Sequence, residues 1–423
     1  MFRTLKRLFF FPVAYYFVFF ARIKFNRWRP RVIVLTGSSG KTTLLSFVES
    51  QLLEKAKYSH HANSALGVPF DILGLSRKTL KKYEWIGLFL QAPFKTFSKI
   101  PEEKLYVVEA DCDRPGEGKF LATFLRPEVT LWISTSKTHS MNFDGLVQKG
   151  KYQTVEEAIA YEFGYFLEYS QKLCIIDKES ALMEAQVKRT SADILRISQK
   201  QFGEYAIDKN GTTFTLKKKT YHFPYLFPQE IFYTLSYTLE LLFYLAIDPD
   251  VSFAKLTLPP GRCSLFDGIK HTLLIDSTYN TSFSSMVAIL FMFEKMPHKT
   301  KWIVLGDMLE LGKSEKEEHE KLADVVGNMH IDRLVLLGPR ISRYTYPLLK
   351  NSLGKKIPVV HFENPKEVLD YLITYIQGEE LILFKGVRFL EGVIEHLLKN
   401  KEDAKKLSRR EQVWEERRRQ WGL

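Results

Sequence analysis

The stretch Val32-Ile33-Val34-Leu35-Thr36-Gly37-Ser38-Ser39-Gly40-Lys41-Thr42-Thr43 decides the fold. Apolar, strand-favouring residues run into a Gly/Ser turn, and the turn opens onto TTLLSFVESQLLEK, whose apolar residues recur at helical spacing. The order is strand, loop, helix. Glycines let a backbone approach phosphate oxygens closely, and loop N–H groups at a helix N-terminus supply positive potential. The loop therefore reads as a phosphate cradle made of Gly37, Ser38, Ser39, Gly40, Lys41, Thr42 and Thr43. Lys41 is expected on the β/γ-phosphates of ATP, and Thr42 offers a hydroxyl to Mg²⁺. The general pattern has four residues between its first glycine and Gly-Lys; here only Ser38 and Ser39 intervene.

Further apolar strands are expected at 105–110, 129–134 and 172–177, with helix-like segments between them. That alternation predicts a parallel sheet covered on both faces. Residues 178–226 are more polar and contain KNGTTFTLKKKTYHF, expected to form a hairpin turning at Asn210-Gly211. An apolar helix is expected over 230–247, and Pro259-Pro260-Gly261 then punctuates the chain. The alternation restarts with strands expected at 272–276, 301–307, 333–338, 358–362 and 380–386. The expected fold class is α/β. A phosphate-loop domain with a parallel sheet spans 31–257, and a second, Rossmann-like domain spans 258–400. No solenoid repeat or low-complexity tract interrupts them.

The chain has 423 residues and a net charge of +12, concentrated at its ends. No acidic residue precedes Glu49, and Arg409, Arg410, Arg417, Arg418 and Arg419 crowd the other end. An anionic surface touching the termini is the expectation. Leu8 to Ala21 reads LFFFPVAYYFVFFA, which is short for a spanning helix and contains Pro12. Residues 1–30 thus read as a membrane-seeking segment lying in the interface; the competing reading is a helix packed on the protein's own surface. Residues 401–423, with Trp414 and Trp421 among mixed charges, read as a solvated helix. The three cysteines, Cys112, Cys174 and Cys263, have no metal-ligand spacing and suit a reducing compartment.

The shortened loop TGSSGKTT resembles the nucleotide loop of the Mur ligases of cell-wall synthesis. Further matches follow in order. Asn63 lies in a Gly67-Val68-Pro69 stretch similar to the family's, and Glu109 is followed by Arg114-Pro115-Gly116-Glu117. Arg126-Pro127-Glu128-Val129 and Thr138-His139 come next. In the second domain Pro260-Gly261-Arg262, Ile275-Asp276-Ser277-Thr278-Tyr279-Asn280, Leu305-Gly306-Asp307 through Gly312, and Lys385-Gly386-Val387-Arg388 complete the series. These second-domain motifs resemble the branch that adds D-alanyl-D-alanine to a UDP-muramoyl tripeptide.

The resemblance implies an ATP-dependent carboxylate–amine ligase working through an acyl phosphate, in the cytoplasm at the inner membrane face, with no nucleic-acid partner. Its implied catalytic residues are Lys41, Glu109 and His139, with Thr42, Glu109 and His139 holding Mg²⁺. Arg262, Asp276 and Asn280 would close over the nucleotide; Asn63, Lys385 and Arg388 would face the substrates. The chain also departs from the family. About 30 residues precede the loop where the family has a UDP-sugar-binding domain, which suggests a lipid-linked acceptor. The carbamylated lysine falls at Phe163, with Glu162 beside it. The adenine-reading helix start appears as Gln229-Glu230-Ile231-Phe232-Tyr233, and a ribose-binding acid as Ser277. Two further readings stay open: a nucleotide-binding scaffold without turnover, and a subunit amidating a lipid-linked precursor.

Overall fold

The computed structural model describes residues 9–60, 62–77, 82–279 and 281–423. They cluster into two compact units. The first takes in the chain to Ser136, Asn142–Gln199 and Tyr233–Thr257; the second takes in Lys137–Met141, Lys200–Phe232 and Leu258–Leu423. The boundary expected at 257 is thus crossed twice, because 137–141 and 200–232 belong with the second unit.

The first unit is built on a parallel sheet of six strands: β1 Arg31–Thr36, β2 Ala56–Tyr58, β3 Leu105–Ala110, β4 Val129–Trp132, β5 Leu173–Asp177 and β6 Asp193–Ile197. Their order across the sheet is β2-β3-β1-β4-β5-β6. Five of the six β1 residues are buried, as a central parallel strand covered on both faces requires. Val34 sits beside Val108 on one flank and Thr130 on the other. The chain builds β2 and β3 on one side of β1, then β4 to β6 on the other. Connections leaving the carboxyl ends of β1, β3 and β4 therefore diverge, and ligands of such sheets bind where they part.

The aromatic N-terminal run folds as the helix Phe10–Trp28. Ala14, Phe17, Val18, Ala21 and Trp28 recur at helical spacing and enter the first unit's core. The Trp28 indole donates to the Glu103 carbonyl at 2.7 Å. Pro12 falls in the first turn, where its missing N–H breaks no helical bond. One face of this helix is core rather than membrane-seeking, and no described helix is long and apolar enough to cross a membrane.

The second unit opens with a three-stranded antiparallel sheet, β7 Phe202–Asp208, β8 Gly211–Leu216 and β9 Lys219–Phe223. The first turn is Lys209-Asn210 rather than Asn210-Gly211, since Asp208 pairs with Gly211. Asp208 fixes that register by accepting the Asn210 N–H at 2.7 Å.

A larger, six-stranded sheet follows. β11 Leu273–Ser277, β12 Lys301–Gly306, β13 Arg333–Leu337, β14 Val359–Phe362 and β15 Leu381–Lys385 run parallel, and β10 Ser264–Asp267 pairs antiparallel at the edge. The order is β10-β11-β15-β12-β13-β14. One apolar cluster includes Leu290, Ile303 and Leu336; another includes Val304, Phe384, Val393 and Ile394. Neighbours such as Ile303 and Val304 thus point to opposite faces, and both faces are covered. The C-terminal helix Gln412–Arg419 is not fully solvated: Arg418 is buried and donates to the Arg409 carbonyl at 2.7 Å.

Candidate active site

The cradle sits at the end of β1, where the sheet order reverses. Gly37 has φ 131°, and a Cβ there would lie 2.7 Å from the Ser134 carbonyl oxygen, so only glycine fits. Gly40, at φ 86°, turns the chain into the helix Lys41–Leu52. The two serines fasten the loop to the segment after β4. Ser38 Oγ donates to the Ser136 carbonyl at 3.0 Å, and the Ser39 N–H donates to Ser134 Oγ at 2.8 Å. Thr43 follows in the first turn of the helix.

Lys41 is buried, with Nζ 2.8 Å from Asp111 Oδ2 and bonded to the Gly37 carbonyl. Burial by itself would lower its pKa. The charge and hydrogen bond of Asp111, with Glu109 and Asp113 behind, outweigh burial and hold the ammonium above its usual range. Thr42 Oγ1 donates to Glu109 Oε2 at 3.0 Å. Glu109 is buried near the end of β3, and its N–H donates to Ser59 Oγ at 2.9 Å. Asn63 contributes backbone rather than side chain here: its carbonyl accepts the Asp111 N–H at 2.7 Å. Lys41, Thr42 and Glu109 are thus brought together. Sequence reasoning missed Asp111, because no motif marks an acid two residues beyond Glu109.

His139 lies in 137–141, within the second unit. Its Nδ1 is paired with Glu310, whose carboxyl is held below its usual range by that hydrogen bond. The same segment is fastened by Ser140 Oγ, which donates to the Leu311 carbonyl at 2.9 Å. Glu310 lies within the motif 305–312 quoted above, but sequence reasoning gave it no role.

In the second unit Asp276 ends up fully buried on β11, beside Phe384 of β15. Its Oδ1 accepts from the Thr278 N–H at 3.0 Å and hydroxyl at 2.7 Å, while Oδ2 has no hydrogen-bond partner among the described residues. Burial pushes its carboxyl up to about 6. Lys385 is also buried, and its amine is pushed down to about 8 by burial. Arg262 lies 5.1 Å over the Tyr279 ring. Asn280 falls outside the described residues. Arg388, expected to face a substrate carboxylate, gives Nη2 and Nε to Asp307 Oδ2 at 2.9 and 3.1 Å. Arg409, from the stretch expected to be solvated, donates to the Tyr279 carbonyl at 2.8 Å and to Glu391 Oε2 at 3.2 Å.

At the family's lysine position Phe163 is core, its ring 5.9 Å from Trp132. Glu162 does not replace the lysine. Its carboxylate accepts the N–H groups of Gly116 and Gly118 at 2.9 and 3.1 Å and caps the helix Glu117–Leu125.

A parallel sheet whose switch point carries a glycine cradle, a buried lysine and a hydroxyl–carboxylate pair defines an α/β protein built to bind phosphate groups. The Mur ligase glutamate ligase domain family matches residues 261–388. The UDP-N-acetylmuramoyl-tripeptide–D-alanyl-D-alanine ligases of Buchnera aphidicola and Escherichia coli are each 24% identical to this chain. The first alignment covers 88% of this chain and 78% of the relative, the second 88% and 77%. The MurF ligase of Thermotoga maritima, solved in complex with ADP, shares the fold with a TM-score of 0.73 at 20% identity, over 96% of this chain and 84% of that one. Over most of its length the chain is similar to these Mur ligases, and it shares their fold.

Proposed function

We propose that this chain is an ATP-dependent carboxylate–amine ligase of peptidoglycan precursor synthesis, joining D-alanyl-D-alanine to the carboxylate of a muramoyl peptide. The observation that carries the reading is the buried Lys41 beside Thr42–Glu109 at the β1–β3 switch point. The γ-phosphoryl group of ATP passes to the carboxylate, giving an acyl phosphate and ADP. The amine then attacks the acyl carbon, and the tetrahedral adduct expels phosphate and a proton to leave the amide. Lys41 neutralises the β/γ-phosphate oxygens as charge builds on them.

Thr42 and Glu109 offer hard oxygen donors of the kind Mg²⁺ takes, and His139 is the third candidate ligand. Bound there, Mg²⁺ supplies charge neutralisation beside the transferring phosphoryl group. Arg262, Asp276 and Asn280 hold the nucleotide in this reading, and Asn63, Lys385 and Arg388 face the two substrates. The enzyme works in the cytoplasm at the inner membrane face, with the exposed face of the helix Phe10–Trp28 in contact with the lipid; residues 1–8, expected in the same contact, lie outside the described residues.

The test is phosphate release from ATP and Mg²⁺ with muramoyl tripeptide, on either a UDP or a lipid carrier, and D-alanyl-D-alanine. Release that needs both substrates and vanishes in Lys41→Ala is expected. Nucleotide binding without turnover on either carrier overturns the reading in favour of a scaffold.

A further inference from the structure

We infer that the first unit docks on anionic lipid through a face built from two helices, Phe10–Trp28 and Glu84–Thr96. This deepens the membrane contact proposed above and rests on it; the second helix is the new part.

The two helices run side by side in the same direction. The Tyr16 hydroxyl donates to the Phe89 carbonyl at 2.8 Å, and Lys24 Nζ donates to Ser98 Oγ at 2.8 Å. Phe17 and Phe89 rings lie 5.1 Å apart. Each helix turns a buried stripe inward: Ala14, Phe17, Val18 and Ala21 on the first, Leu88, Ala92 and Thr96 on the second. At helical spacing, the residues opposite those stripes point out from the same layer.

What points out is apolar. On the first helix Tyr15 and Phe19 are 61% and 62% exposed. On and just beyond the second, Ile86 and Leu90 are each 66% exposed, Phe94 78% and Phe97 73%. Scattered exposed apolar residues are ordinary, but a stripe repeating over 86, 90, 94 and 97 beside a second stripe is not.

Charge selects the occupant. Arg22 continues the first stripe one turn beyond Phe19, and exposed Lys82 stands at the start of the second. The acids nearby are already engaged, Glu84 at 3.7 Å from Arg77 and Glu102 at 2.6 Å from Lys99. An anionic bilayer offers an acyl boundary for the rings and phosphates for the cations. A second copy of this face would set cations against cations.

The test is co-sedimentation of the full chain with vesicles containing phosphatidylglycerol or phosphatidylcholine alone. Binding to the anionic vesicles, weakened at least ~30-fold by Ile86→Ser/Leu90→Ser/Phe94→Ser, is expected, since each buried side chain contributes strongly to partitioning. The substituted residues are exposed, so circular dichroism and turnover with soluble substrates should stay unchanged. If Tyr15→Ser/Phe19→Ser weakens binding but the second-helix variant does not, the two-helix face is wrong and the simpler membrane contact stands. No binding to either vesicle overturns both. A concentration-dependent dimer abolished by the second-helix variant, without vesicle binding, assigns the face to a second copy instead.

Discussion

Lys41 and Lys385 are both buried lysines at the ends of parallel strands or their loops, yet their surroundings push them in opposite directions. Asp111 at 2.8 Å keeps Lys41 charged, whereas burial pushes Lys385 down to about 8. The carboxyls follow the same division. Glu109 is hydrogen-bonded by Thr42, while Asp276 leaves one oxygen unpartnered and is pushed up to about 6. The first unit thus holds its charges paired before any ligand arrives; the second holds an acid with an oxygen unsatisfied and a base whose charge burial disfavours. Preformed pairing suits a phosphate cradle, and a buried carboxylate oxygen left unsatisfied suits a surface completed by its ligand.

The largest expected effect tests the paired side. Lys41→Ala should lower turnover by ~10³-fold or more, since a phosphate-contacting cation is lost. It also strands the Asp111 charge, and breaking a buried pair costs about 3 kcal/mol or more. Adding Asp111→Asn should restore most of the thermal stability and none of the turnover. If the double variant regains turnover, Lys41 serves the fold rather than the chemistry.

The next effect belongs to Asp276 in the second unit. Asp276 has a folded pKa of about 6 against an ordinary 3.8. Below that ordinary value it is protonated folded and unfolded, and costs nothing. As pH rises towards 6 the unfolded chain loses the proton first, so stability falls, by about 3 kcal/mol in all. Asp276→Asn should flatten the second unit's unfolding midpoint over this window. A midpoint that still falls as steeply breaks the contrast between the two units.

Much of this was legible because it is local. The cradle is contiguous, so residues 37–43 announced both its conformation and its chemistry. The Lys41–Asp111 pair joins positions 70 apart with no motif at the acid, and only the β1–β3 pairing brings them together. The turn between β8 and β9 was hidden differently: Lys217 and Lys218 take φ of 48° and 67°, where glycine or asparagine would have signalled the bend. The N-terminal helix concealed its buried stripe because aromatics occupy nearly every face. Arg409 and Arg418 read as solvated charge because nothing in a charge run tells which side chains reach buried carbonyls.

A smaller effect concerns Arg388. Asp307 is fully buried and takes both Arg388 bonds together with the Ile341 N–H at 2.9 Å. Arg388→Ala should cost about 2 kcal/mol of second-unit stability, by leaving that carboxylate short of donors. Pairing it with Asp307→Asn should recover part of the loss in a double-mutant cycle. A rise in the KM for D-alanyl-D-alanine with unchanged stability would instead make Arg388 a substrate contact.

The smallest effect asks whether the C-terminal stretch reaches the nucleotide turn. Arg409 bonds the Tyr279 carbonyl and Glu391, so it ties the backbone after Asp276 to the helix Leu390–Leu397. One such charge-assisted bond contributes about 1 kcal/mol, or roughly a fivefold change in an equilibrium. If the turn holds nucleotide, Arg409→Ala should raise the KM for ATP about fivefold and leave kcat within about twofold. Lysine lacks the forked donors needed to reach both partners, so Arg409→Lys should recover little of the loss. An unchanged KM alongside a lowered unfolding midpoint would show that the bond serves the second unit's fold alone, and the unsatisfied Asp276 would then have to be completed by some other group.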